Sequence, residues 1–354
     1  MRIARTRTTQ FVRYLALLFA APFLAAAQNG FTDAEADGIK AFLHDNFRQT
    51  NACMVIGLAD QRGNRIFSAG KLDNGTDREV NGDTVFFIGS VSKTFTALLL
   101  QEAVKRGEMK LDDPVAKYLP ASTKMPTHGG KEITLLDLAT HAAGLPADPD
   151  NMTGATVKEQ YETYTVEKIY AFLSGYTLSR DPGTEFEYSN VGMALLGHVI
   201  ALKAGTNFES LVVNRICRPL HMDSTCIALT PELKARLAMG HDDSGKPSPP
   251  WKLQAYSPAG DVHSTANDLL KYKQTHTLRV TKVFPKSPAS QAGLSAGMII
   301  QKIENVPTAG KSVAECQRLL RASSSPKVRL ELINPERKES NSVEVTRGKF
   351  LTSG

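Results

Sequence analysis

Ser90 and Lys93 stand three residues apart in VFFIGSVSKTFTALLLQ, residues 85–101. A serine hydroxyl is a poor nucleophile until a neighbouring base or cation helps remove its proton. Residues three apart on a helix share a face, so both side chains would enter one space, with the Ser90 amide at the helix N-terminus placed to donate to a developing oxyanion. That arrangement suits acyl transfer. It also suits a blander reading, the polar start of a buried helix, because Ser68 with Lys71 and Ser324 with Lys327 repeat the spacing. Gly89 favours the first reading, since it permits an awkward strand-to-helix turn just before the serine.

A second pair lies in PGTEFEYSNVG, where Tyr188 and Asn190 sit two apart at the entry to another apolar segment. No other tyrosine in the chain has an asparagine at that offset. A phenol beside a lysine can accept a proton, and an amide side chain can hold a substrate carbonyl or the lysine itself. Equally, Tyr188 packs and Asn190 caps the helix.

The elements that must position these residues are readable from period and punctuation. FTDAEADGIKAFLHDNF has helical apolar spacing at Ile39, Phe42, Leu43 and Phe47, with Thr32 and Asp33 placed to cap it. CMVIGLAD, QRGN and RIFSAGKLD read as strand, turn and strand. SKTFTALLLQEAVKRG, ITLLDLATHAAG and VGMALLGHVIALKAG read as helices stopped by Gly107, Gly144 and Gly205. From about His276 the text changes to short β-branched strands, a Pro/Gly turn and one short helix, a separate β-rich module.

Arg2, Arg5, Arg7 and Arg13 precede the apolar run YLALLFAAPFLAAA, which is shorter than the roughly 20 apolar residues that cross a bilayer. Residues 1–27 are therefore expected to be a signal peptide cleaved after Ala27, leaving no stable membrane span. Its removal takes away four of the 42 basic residues and none of the 36 acidic ones, so the formal charge falls from +6 to +2. No basic stripe remains to bind nucleic acid. Four cysteines in 354 residues do not make a disulfide scaffold; Cys217 and Cys226 are near enough to pair, but buried free thiols are the preferred reading. The eight histidines offer no metal spacing. His141 and His198 read as structural histidines, His128-Gly129-Gly130 as a turn, and Trp251 as a cover over the core.

Five ordered blocks carry a family resemblance: GSVSKTFTALLLQEAVKRGEMKLDDPVAKYLP, ITLLDLATHAAGLP, PGTEFEYSNVGMALLGHVI, ICRPLHMDST and SPAGDVHSTANDLLKY. Across roughly residues 31–273 the chain resembles the class C β-lactamase and penicillin-binding serine hydrolase family. The resemblance implies an α+β fold of the β-lactamase/transpeptidase type, a helical subdomain plus an antiparallel sheet. It makes Ser90 the acylated nucleophile, Tyr188 the base with Lys93 as its electrostatic partner, and Asn190 a substrate-binding residue. No cofactor or metal is implied, and the substrates would be β-lactams, D-Ala-D-Ala peptides or small esters, met in the periplasm or outside the cell.

The family's third element, a Lys-Thr-Gly or His-x-Gly triplet on a strand beside the site, is missing where HSTANDLLKY runs into the β-rich module. Its loss implies an incomplete sheet with an exposed edge, and loss of one oxyanion donor costs about 10²- to 10³-fold in rate. The tail, through VFPKSPASQAGLSAGMIIQKIENVPTAG and SVAECQRLLRA, resembles a periplasmic PDZ domain, a class that binds extended peptides by adding a strand. The expected organisation is a signal peptide at 1–27, a serine hydrolase domain at 28–273 shortened at its C-terminal end, and a PDZ-like domain at 277–350. The competing expectation is a non-catalytic exported protein that only binds a peptide or partner.

Overall fold

The computed structural model describes residues 31–47, 52–60, 63–242, 244–248, 250–273, 280, 283, 286–308, 313–322, 325–334 and 339–347. The expected signal peptide, residues 1–27, and residues 274–276 between the two expected domains lie outside the described residues. Helix α1 (Asp33–Phe47) opens the described chain. It begins with a capping box in which Thr32 Oγ1 accepts from the Glu35 amide at 3.2 Å and the Thr32 amide donates to the Glu35 carboxylate at 2.8 Å. Strands β1 (Met54–Asp60) and β2 (Gly63–Ala69) pair antiparallel from Met54↔Ala69 to Asp60↔Gly63.

Alternation along this hairpin gives it two different faces. Met54, Ile56, Leu58, Phe67 and Ala69 pack on Leu43 and Phe47 of α1. On the other side Gly57 lies against Leu270, whose Cδ1 would stand 3.2 Å from an added Cβ, so only the smallest residue lets that helix approach. Among the described residues β1 and β2 form a two-stranded sheet with no third strand.

The helical region holds the main core. Strand β3 (Phe86–Phe87) runs through a 3₁₀ turn, Gly89–Val91, into α2 (Ser92–Lys105). Phe95, Leu99, Leu100 and Ala103 of α2 are fully buried, spaced to form one face. Phe95 stacks on Tyr272 with 4.3 Å between ring centroids, and truncating such a ring to alanine costs about 3–5 kcal/mol.

Helix α3 (Leu135–Ala139) is shorter than expected. Glycine 144 does not stop it; Thr140 caps it, His141 takes a left-handed conformation (φ 54°), and the Ala142 amide wraps back to the Asp137 carbonyl at 2.8 Å. Helix α4 (Val166–Gly175) follows. Helix α5 (Asn190–Ala204) is apolar on every side and ends, as expected, at left-handed Gly205.

After α5 the chain reaches the short helix α6 (Ser257–Gly260), strand β4 (His263–Ser264), which pairs with β3, and α7 (Ala266–Lys273). Gly197 of α5 meets Pro258 of α6 so closely that a Cβ would stand 2.2 Å from the proline Cβ.

Beyond residue 286 a second cluster, formed by Ile300, Ile303, Cys316, Val328, Leu330 and Leu332, has its own sheet. Strands β5 (Ile299–Ile303), β6 (Val306–Pro307), β7 (Lys327–Asn334) and β8 (Glu339–Thr346) lie in the order β6-β5-β7-β8, all antiparallel. Helix α8 (Val313–Ala322) joins β6 to β7. Among the described residues, no single helix is long and apolar enough to cross a membrane.

Candidate active site

Ser90 does not sit on the α-helix proper. It occupies the 3₁₀ turn between β3 and α2, where residues three apart eclipse one another more fully than in an α-helix. Gly89 supplies the bend: its φ is 51°, and a Cβ there would meet nothing within 4 Å, so the constraint is backbone conformation and not space. As a residue of the first turn, Ser90 has an amide with no intrahelical acceptor to satisfy it.

The turn is clamped from the opposite side by residues 258–262. The Ile88 amide donates to the Val262 carbonyl at 3.0 Å, the Val262 amide donates to Ser92 Oγ at 3.0 Å, and Thr96 Oγ1 donates to the Pro258 carbonyl at 2.7 Å. Lys93 is only 7% exposed and donates to Ser90 Oγ at 3.1 Å and to the Ala259 carbonyl at 2.7 Å.

Tyr188 arrives from the loop before α5, and its hydroxyl donates to Ser90 Oγ at 2.9 Å. Lys93 Nζ lies 4.9 Å from the Tyr188 ring centroid. Ser90 and Lys93, three residues apart, therefore share one hydrogen-bonded cluster with Tyr188, which lies 98 residues from Ser90 in sequence. The phenol also packs, on His141, so its two sequence readings hold together: ring centroids are 4.7 Å apart with 31° between planes. His141 Nδ1 accepts the Ser189 amide at 3.1 Å, and burial, then the Lys93 charge, pushes its pKa down to about 4.

Asn190 is the first residue of α5, but it is not the cap. Ser189 takes that place, its Oγ accepting from the Gly192 amide at 2.9 Å and donating to the Pro146 carbonyl at 2.7 Å. The Asn190 side chain is left to line the cleft, with its Nδ2 3.4 Å and 3.5 Å from the two Asp148 carboxylate oxygens. Asp148 also accepts from the Tyr161 hydroxyl at 2.8 Å.

A cleft of about 190 Å³ opens beside Ser90 and Asn190, walled by Phe87, Tyr161, Trp251 and Tyr256. Trp251, expected to cover the core, does touch it but also faces this cleft, 5.9 Å from Tyr161 ring to ring. Sequence reasoning missed Asp148, Tyr161, Tyr256 and the Ala259 carbonyl. The first was signalled only by its place in the GLPAD turn, and the last has no side-chain signature at all.

The other candidates take structural places. His198 bonds the Tyr170 hydroxyl at 2.5 Å. His128 closes a two-stranded turn through Gly129 and Gly130 and pairs with Asp181 at 2.6 Å. Cys53, Cys217 and Cys226 are free thiols, and Cys217 and Cys316 are buried while Cys53 and Cys226 are half-buried. Among the described residues no group of His, Cys, Asp and Glu could hold a metal ion.

The fold around this cluster is that of the β-lactamase/transpeptidase type. A β-lactamase/D-alanine carboxypeptidase from Yersinia pestis superposes with a TM-score of 0.58, covering 89% of this chain and 94% of that one at 20% identity. A class C β-lactamase from Rhodobacter sphaeroides does so with a TM-score of 0.59, covering 90% and 95% at 22% identity. The Beta-lactamase family model matches residues 43–302, and the chain belongs to that family.

Among curated relatives, the D-alanyl-D-alanine-carboxypeptidase/endopeptidase AmpH of Escherichia coli (strain K12) is 32% identical over 213 residues, 60% of this chain and 54% of that protein. A β-lactamase of Lysobacter lactamgenus is 28% identical over 244 residues, 69% of this chain and 60% of that protein. The chain thus spans little more than half the length of these relatives.

Proposed function

We propose that this protein is an exported serine hydrolase that opens β-lactams, D-Ala-D-Ala peptides or small esters through an acyl-enzyme on Ser90. The observation that carries this is the meeting of Ser90 Oγ with Lys93 Nζ at 3.1 Å and the Tyr188 hydroxyl at 2.9 Å. The printed activities of the relatives, β-lactamase and D-Ala-D-Ala carboxypeptidase, support the substrate classes.

In this reading Ser90 Oγ attacks the carbonyl carbon while its proton passes to the Tyr188 oxygen and the phenol's own hydroxyl proton passes on to the leaving-group atom, with the Ser90 amide donating to the new oxyanion. Lys93 favours negative charge on either oxygen. Collapse breaks the bond to the leaving group, which departs with the proton from Tyr188. Water then repeats the sequence against the acyl-enzyme, and Asn190 orients the acyl group at the cleft wall.

The missing Lys-Thr-Gly or His-x-Gly triplet leaves the site short of an oxyanion donor, so turnover is slow relative to acylation. The tail is a PDZ-like domain, for which the separate core and the β6-β5-β7-β8 order with α8 between β6 and β7 are the support. We place its boundary after residue 273, although the family match runs on to 302. The N-terminal segment is a signal peptide that sends the chain to the periplasm or outside the cell.

The test is to incubate the mature protein with a fluorescent penicillin and with a nitrophenyl ester, then map any adduct by mass spectrometry. An adduct on Ser90 that vanishes in Ser90→Ala is the expected result. No adduct after prolonged incubation would instead favour a protein that binds a peptide or partner without turning it over, the reading to which the missing triplet points.

A further inference from the structure

We infer that His141 is the positioning residue for Tyr188, holding the phenol at Ser90 from behind. The inference rests on the reaction proposed above. Tyr188 has its two chain neighbours tied to this one histidine: the Glu187 amide donates to the His141 carbonyl at 2.7 Å and the Ser189 amide donates to His141 Nδ1 at 3.1 Å. The third contact is the ring itself, which packs on the Tyr188 ring at 4.7 Å between centroids with 31° between planes. Backbone on both sides and side chain between are thus registered against a single residue, which leaves the phenol little freedom to swing away from Ser90 Oγ.

Two features argue that this contact is built and not incidental. His141 holds a left-handed backbone conformation, φ 54°, which few residues other than glycine adopt and which is retained where surroundings over-determine it. That conformation directs its carbonyl to Glu187 and its ring to Ser189. Phe186 also meets the ring edge-on, at 5.7 Å and 78°, so the imidazole contacts two aromatic side chains of the loop that it positions. Accepting from the Ser189 amide requires an unprotonated Nδ1, because a protonated ring would set donor against donor. Burial and the Lys93 charge keep the imidazole neutral at the pH where such a hydrolase works.

The experiment measures the single-turnover acylation rate with a nitrophenyl ester for His141→Ala, His141→Phe and His141→Asn, each in the native and the Tyr188→Phe background. Asparagine tolerates the left-handed backbone and can offer Oδ1 where Nδ1 stood; phenylalanine keeps the ring and loses the acceptor. His141→Ala is expected to slow acylation by about 10²-fold at unchanged apparent affinity, the loss that a misplaced catalytic group brings. His141→Asn should recover most of that rate. In the Tyr188→Phe background His141→Ala should cost less than about twofold, because two residues acting through one function do not add.

Equal losses in both backgrounds, or no loss in the native one, overturns the assignment. Should His141→Ala fail to fold, the asparagine and phenylalanine variants carry the same comparison. If the native protein is never acylated, the reaction assignment fails by itself. Amide exchange then decides the positioning role: Ser189 should exchange faster in His141→Phe and Glu187 should not, whereas unchanged exchange at Ser189 refutes it.

Discussion

Replacing Asp261 by asparagine should stabilise the protein at neutral pH and change how its stability depends on pH. Asp261 is 6% exposed, follows α6 directly, and its carboxylate accepts from Ser257 Oγ at 2.7 Å and from the Leu253 amide at 3.4 Å. These bonds do not offset the loss of water, and burial raises its pKa from 3.8 to about 6. Between those two values the folded state holds a proton that the unfolded chain has released, so stability falls as pH rises through about 6 and is flat above it. Ionising this group in the fold costs about 3 kcal/mol. Asp261→Asn removes that cost but gives the new amide NH₂ an unmet donor, worth about 1 kcal/mol, for a net gain of about 2 kcal/mol. Urea unfolding at about pH 4.5, 6 and 7.5, followed by the single tryptophan Trp251, reads the difference between variant and native protein. His141 acts in the opposite sense: its folded pKa is depressed from 6.5 to about 4, so its contribution is present above pH 6.5 and lost as pH falls through 4, and it cancels in that difference. A variant that is less stable than native at pH 7.5, with a difference that does not grow as pH rises, refutes the account of Asp261.

Tyr188→Phe should slow acylation of Ser90 by about 10²-fold while leaving thermal stability near native; an unchanged single-turnover rate removes the phenol from the mechanism. Gly197→Ala drives a methyl into Pro258, where its Cβ would stand at 2.2 Å, and should cost about 1–3 kcal/mol in urea unfolding while loosening the α6 segment that holds Lys93. Asp148→Ala frees the Asn190 amide and the Tyr161 hydroxyl from their shared acceptor and should lower kcat/KM by about tenfold, measured with the nitrophenyl ester.

What could be read in the sequence was local chemistry. The Ser90–Lys93 spacing, the Tyr188–Asn190 pair, the capped start of α1 and the glycine stop of α5 each depend on residues within one or two turns, so they survive in the one-dimensional text. The end of α3 was misplaced because the stop is a histidine in a left-handed conformation, chosen by the loop it must hold and not by intrinsic preference. Trp251 looked like a cover because nothing in PSPPWKLQAY tells which side of an indole faces the core and which a cleft. The clamp on Lys93 was illegible for a stricter reason: it consists of the Pro258, Ala259 and Val262 backbones, and every residue carries a carbonyl and, proline apart, an amide. Asp148 could have been suspected as a charge inside the GLPAD turn, but its partners Tyr161 and Asn190 are joined to it only by the fold.

Under the reaction proposed for this site, the same clamp accounts for how a buried lysine would serve it. Among the described residues Lys93 has no carboxylate partner within salt-bridge distance; its acceptors are Ser90 Oγ and the Ala259 carbonyl. A carboxylate there would neutralise the charge at its source and leave little field on the serine and phenol oxygens. A neutral carbonyl satisfies one N–H and fixes the geometry without cancelling the charge, which therefore acts on the oxygens where negative charge must form during acylation. Holding a cation in this way costs the fold stability, since an unpaired buried charge loses its hydration. That cost is offset by the packing of the elements that carry the clamp, where Phe95 stacks on Tyr272, Leu99 is fully buried and α5 closes on Pro258. Loosening that packing should therefore affect chemistry before it unfolds the chain, because the first thing it releases is the position of the amine.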